Sequence, residues 1–153
     1  MILVHYGRSP KFKLRSRRQT HLHTRSDKPC GLWVSVEDAN LSWREWCEAE
    51  SFGCGKYPFR IHLRDDANIL VLDTDDKILE FGEQYHKPPD GIVALKGVTW
   101  WLDWMAIVSK FQGIIISPYS WALRLDHRCS WYYGWDCASG VIWDKRAIAR
   151  VES

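Results

Sequence analysis

No stretch of the chain approaches the roughly 20 consecutive apolar residues that a membrane-spanning helix needs. The opening ILV is broken at once by His5 and Arg8, so no signal peptide is expected and a cytoplasmic location is. The phosphate-cradling loops GxxxxGK[ST] and GxGxxG are missing, as is the GxSxG elbow that would present a serine nucleophile. There is no CxxC pair and no HExxH helix. The nearest approaches are His21 with His23, Cys47 with Cys54, and His127 and Cys129 near Cys137, and none has a zinc spacing, so no metal is expected. The five cysteines lack a disulfide-framework pattern and read as reduced thiols. Internal repeats and low-complexity tracts are also lacking. These absences remove the commoner nucleotide-binding, hydrolase and metalloenzyme classes.

What the chain has in excess is aromatic surface and one patch of positive charge. Ten of its 153 residues are tryptophan, and the length suits a single domain over residues 1–153. The net charge of +2 conceals an asymmetry. Residues 8–28 carry eight Lys or Arg against the single acid Asp27, leaving a balance of −5 elsewhere. This stretch is poor in apolar residues and reads as a basic loop or arm, with Arg15, Arg17 and Arg18 as candidate contacts to nucleic acid or an acidic partner. A solvated loop that aids solubility explains the same charges.

Periodicity predicts a mixed α+β domain of six to eight short strands and two or three helices. MILVHYG and CGLWVSVE read as strands, and YPFRIHLR alternates with Tyr57, Phe59, Ile61 and Leu63 on one side. ILVLD is apolar on both faces and is expected to be central. LSWREWCEAESF opens with Ser42 and Glu45 at capping-box spacing, and Leu41 and Trp46 are placed for a hydrophobic staple. TDDKILEFGEQY carries acids in a first helical turn. TWWLDWMAIVSKFQ has helical spacing from Trp101 to Val108, with Gly113 as its stop, and GIIISPY reads as a buried strand. The tail predicts two strands joined around Ala138–Gly140, with Trp131, Trp135 and Trp143 about the lone acid Asp136.

Three pieces in order carry a family likeness: LVHYG, GLWVS and YGWDCASGVIW. A strand histidine, a strand with an aromatic and a serine two apart, and a late acid resemble the ADP-ribosyltransferase superfamily. More narrowly, KPCGLWVS, SWREWCEAE and YGWDCASGVIW resemble small proteins of bacteria and phages. The resemblance implies a mixed, split β-sheet core and NAD as substrate, with ADP-ribose passed to a protein or nucleic acid, as in a toxin or phage factor. It implies that His5 binds a ribose hydroxyl and that Gly7, with Tyr6 interposed, pairs with the nicotinamide amide. Trp33 would stack on the nicotinamide, Ser35 would steady the acid, and Asp136 would stabilise the charge developing on the sugar, with Trp135 in the wall. Aligned on GVIWD, Ser139 stands where the family's glutamate belongs, so either Asp136 replaces it or the site binds without reacting; Asp144 is a further candidate.

A carboxylate suits this chemistry because glycosidic cleavage passes through an oxocarbenium-like state, and aromatic walls exclude water and favour cations. The same residues admit plainer roles: His5 as a bonded core histidine, Trp33 and Ser35 as strand pattern, Asp136 as a turn cap. Two other functions fit the composition. One is a nucleic-acid-binding or nuclease-like protein led by the arm and by stacking aromatics. The other is a non-catalytic inhibitor of a host protein built on tryptophan hot spots.

Overall fold

The structure, a computed structural model, describes residues 1–16, 28–93 and 95–153. Arg17 and Arg18 lie outside the described residues. Among the described residues seven strands form one curled mixed sheet: β1 (Leu3–Gly7), β2 (Leu32–Val36), β3 (Tyr57–Leu63), β4 (Ile69–Leu72), β5 (Gly113–Ile116), β6 (Ser139–Ile142) and β7 (Ile148–Glu152). Their order is β4-β5-β6-β2-β1-β3-β7, with β4 and β5 parallel and every other pair antiparallel. The α-helices described beside it are α1 (Trp43–Ala49), α2 (Asp75–Tyr85) and α3 (Trp104–Lys110), with 3₁₀ turns at His127–Gly134 and Lys145–Ala147. The α+β class follows from this arrangement.

Local chemistry sets the helix starts. Ser42 Oγ accepts the Glu45 N–H and Glu45 Oε2 accepts the Ser42 N–H at 2.7 Å, which closes the capping box. Thr74 caps α2, whose first turn carries Asp75 and Asp76. Asp103 caps α3 by accepting the Ala106 N–H at 3.0 Å. Helix α3 therefore starts later than its tryptophan spacing suggests. Leu102 bridges to His86 and the Trp101 carbonyl accepts the Lys87 N–H, so these residues are already committed to extended pairing. Gly113 does not stop the helix; Phe111 caps it, and Gly113 begins β5.

Two further expectations are corrected. ILVLD forms β4 at the sheet edge rather than nearer its centre, and of its residues only Leu72 is buried. The tail makes one strand of the expected pair, since Ser139 and Gly140 belong to β6 and residues 131–134 coil as 3₁₀ turn. The tryptophan-rich segment caps the core instead of extending the sheet. Trp131 meets Phe81 of α2 edge-on at 5.2 Å, while Tyr132 and Trp135 are essentially sealed from solvent. A Cβ on Gly82 would stand 2.6 Å from Trp131 Nε1, so α2 needs its glycine at that contact. The core joins Ile114, Ile116, Val141 and Leu72 of the sheet to Ile78, Phe81 and Ile107 of the helices. None of the described helices is long and apolar enough to cross a membrane.

Candidate functional site

The three stretches that carry the family likeness become neighbouring strands, β6-β2-β1. Ser35 lies opposite Ser139 across β2 and β6, which brings Asp136 to the end of β2. Strands β1 and β2 share only the pairs Leu3–Val36 and Val4–Ser35. From His5 onward β1 pairs with β3 alone. At this parting His5 Nδ1 lies 2.8 Å from the Trp33 carbonyl oxygen. A carbonyl only accepts, so Nδ1 bears the proton of that bond and Nε2 is the ring's other position.

Alternation along the strands then separates the expected partners. Residues directly opposite in an antiparallel pair share a face. Leu3 and His5 therefore lie on the Val34–Val36 side, whereas Val4 and Tyr6 lie on the side of Trp33 and Ser35. His5 and Gly7 face a small hollow of about 290 Å³ with Phe12, Phe59 and the cations Arg8, Lys11, Lys13 and Arg15. Asp136 is not on its walls. The structure thus does not bring the His5 imidazole together with the Ser35 and Asp136 side chains. The physical reason is the two-residue period, which sends adjacent side chains of β1 to opposite faces.

The face that does assemble carries Tyr6, Trp33, Ser35 and Glu37. Ser35 is buried and its Oγ accepts the Trp43 N–H at 2.8 Å, so this hydroxyl anchors the start of α1 and steadies no acid. Tyr6 donates to Glu37 Oε2 at 2.9 Å. Burial, and then this bond to a carboxylate, push the Tyr6 phenol well above its ordinary range. The second oxygen, Glu37 Oε1, is buried without a hydrogen-bond partner. Trp33 packs on Trp135 with centroids 5.1 Å apart, and Lys28 Nζ sits 5.2 Å from the Trp33 ring centre. Burial lowers the Lys28 ammonium, while Asp136 and Cys137 pull it the other way.

Asp136 belongs to another network. Arg124 donates to Asp136 Oδ1 at 3.3 Å and to the Tyr119 hydroxyl at 2.9 Å, and its guanidinium lies against Trp121 and Tyr133. Burial, together with the carboxylates Asp136 and Glu37, pushes the Cys137 thiol up to about 11, although the Ser139 hydroxyl pulls the other way. Both carboxylates therefore act on the same sulfur at the start of β6. Asp144 is a structural acid: it caps the last 3₁₀ turn, and Arg146 holds its carboxyl down at about 2. Trp131, Trp135 and Trp143 are all buried, so their bulk is core; Trp143 Nε1 donates to the Phe111 carbonyl.

Glu37, Lys28 and Arg124 are the groups that sequence reasoning passed over. Glu37 was findable, because W-x-S-x-E along a strand places all three residues on one face. Arg124 and Lys28 gave no such signal, since their roles depend on loops meeting in space.

A large hollow adjoins this face. It is a groove of about 970 Å³ bounded by Trp100, Trp101, Tyr133, Trp135, Lys28 and Arg124, among others. Among the described residues no group of three His, Cys, Asp or Glu side chains could hold a metal ion. Compared with known proteins, the chain matches no protein-family model, no curated protein and no solved structure.

Proposed function

We propose that the chain is an ADP-ribosyltransferase-like protein that takes NAD as substrate and passes ADP-ribose to a macromolecular acceptor. The observation that carries this reading is the adjacency β6-β2-β1 with β1 and β2 parting after two residue pairs, which opens the sheet where the family's three pieces meet. The site is the face bearing Tyr6, Trp33 and Glu37, with Trp135 behind Trp33. In this reading Tyr6, beside Trp33 and Glu37 on this face, takes the role that the resemblance gave to His5, and Trp33 offers the nicotinamide a flat wall.

Glu37 is the fixed negative charge in this reading. In the reaction the bond between the nicotinamide nitrogen and ribose C1′ breaks, and its electron pair leaves with neutral nicotinamide. The ribose carbon becomes cationic, an acceptor nucleophile bonds to it, and the acceptor proton passes to solvent. A carboxylate with one oxygen held by Tyr6 and the other unpartnered is suited to stabilise that transient cation. Asp136 is less suited, because Arg124 already offsets its charge.

Calorimetry with NAD and transfer of label from NAD to lysate acceptors test the reading. Wild-type protein is expected to do both. Glu37→Gln should lower transfer by about 100-fold or more, the usual cost of losing a preorganised charge, and leave NAD binding within a few-fold. A correctly folded chain that neither binds nor consumes NAD refutes the proposal.

A further inference from the structure

We infer that the groove between the amino end of α3, residues 87–90 and the 3₁₀ turn at His127–Gly134 binds single-stranded nucleic acid, with bases stacked on its exposed aromatic side chains. Two rings at its rim stand out in water: Tyr133 is 58% exposed and Trp121, just beyond the wall, is 60% exposed. Isolated exposed rings are ordinary on a protein surface. Here, however, they flank one guanidinium. Arg124 lies 5.6 Å from the Trp121 ring centre and 5.5 Å from that of Tyr133.

That guanidinium is fixed in place from behind by the Tyr119 hydroxyl and Asp136. The result is a ring–cation–ring set at the rim of the groove, and exposed aromatic rings are the surfaces that base stacking uses. Half-buried Trp100 and Trp101 continue the aromatic wall, so the groove accommodates more than one base.

The charges agree with a strand rather than an apolar peptide. Of the lining acids, Asp103 is held by Lys87 at 2.9 Å and Asp126 by Arg128 at 2.7 Å, and both also cap helical turns. The negative charge of these two is thus compensated at the wall, while the third lining acid, Asp90, is exposed to solvent. Lys28 contributes an ammonium that reaches the groove from the end of the basic stretch 8–28, beside Trp33. Stacking dominates and phosphate contacts are few, which predicts a shallow salt dependence and not the steep one of a purely cationic arm. Trp135 and Lys28 touch both this groove and Trp33, so a bound strand approaches the proposed NAD site. Only its role as acceptor rests on the NAD reading; the binding does not.

The experiment is fluorescence anisotropy of a labelled 12-mer of oligothymidylate with the full chain, without NAD, across a salt series. Tyr133→Ala and Trp121→Ala change exposed rings and leave the core intact, which far-UV circular dichroism verifies. Each is expected to weaken binding about tenfold, the value of one stacked base. Lys28→Gln should flatten the salt slope, and thymidine monophosphate should bind far more weakly than the 12-mer. The inference is overturned if wild-type protein does not bind the 12-mer or if neither ring substitution matters. Equal affinity for the mononucleotide also overturns it, by making this a free-nucleotide site. Loss of binding in Arg15→Gln alone overturns it as well, by assigning the affinity to the arm.

Discussion

Replacing Ser35 by alanine separates a structural role from a ligand-binding one. The hydroxyl accepts the N–H of Trp43, the first residue of α1, whose amide has no partner inside the helix. Ser35 is only 3% exposed, so water cannot take the place of the lost oxygen. Leaving a buried donor unpaired costs about 1–3 kcal/mol. For a chain of this size each kcal/mol moves the melting midpoint by roughly 2–4 °C, so the midpoint should fall by about 2–12 °C. Urea unfolding followed by circular dichroism should show a lower midpoint at an unchanged slope. The Ser42→Ala variant, which removes the cap of the same helix at about 1 kcal/mol, is the natural comparison. The two losses should not simply add, since both act on one helix end. A midpoint within a degree of wild type, accompanied by loss of NAD binding, would refute this reasoning and return the hydroxyl to the ligand.

Two more outcomes follow from close packing and from burial. Gly55→Ala would drive a Cβ into the Tyr6 carbonyl oxygen, a backbone atom that cannot swing aside, so urea denaturation should show a loss of about 1–3 kcal/mol or more. Burial first of all pushes the Cys47 and Cys129 thiols up to about 12 and that of Cys137 to about 11, and it raises Cys54 as well, so iodoacetamide at pH 8 should label half-exposed Cys30 first, Cys54 more slowly and these three least, as read by peptide mass. Because the folded values lie above the unfolded ones, their contribution is whole below about pH 8.5 and is lost as the pH rises toward the folded values, so the melting midpoint should decline over that range.

Much of the local structure was legible because it depends on neighbours in sequence. The capping box of Ser42 and Glu45, the acidic first turn of α2 and the alternation of β3 are all short-range, and each formed as its pattern required. The aromatic tail misled because tryptophan and tyrosine suit strands and core-covering turns alike. Only the presence of Phe81 and Gly82 on α2, far away in sequence, made residues 131–134 a cap.

The candidate site divides along the same line. That Trp33, Ser35 and Glu37 share one face is a property of any strand with this order of residues, since side chains alternate every residue. That Tyr6 and not His5 joins them was decided by the register between β1 and β2, which pairs Val4 with Ser35. The sequence also determined that Asp136 sits among aromatic residues. Its partner Arg124 came from the fold, because an ion pair depends on where two loops end in space, and no spacing along the chain encodes that.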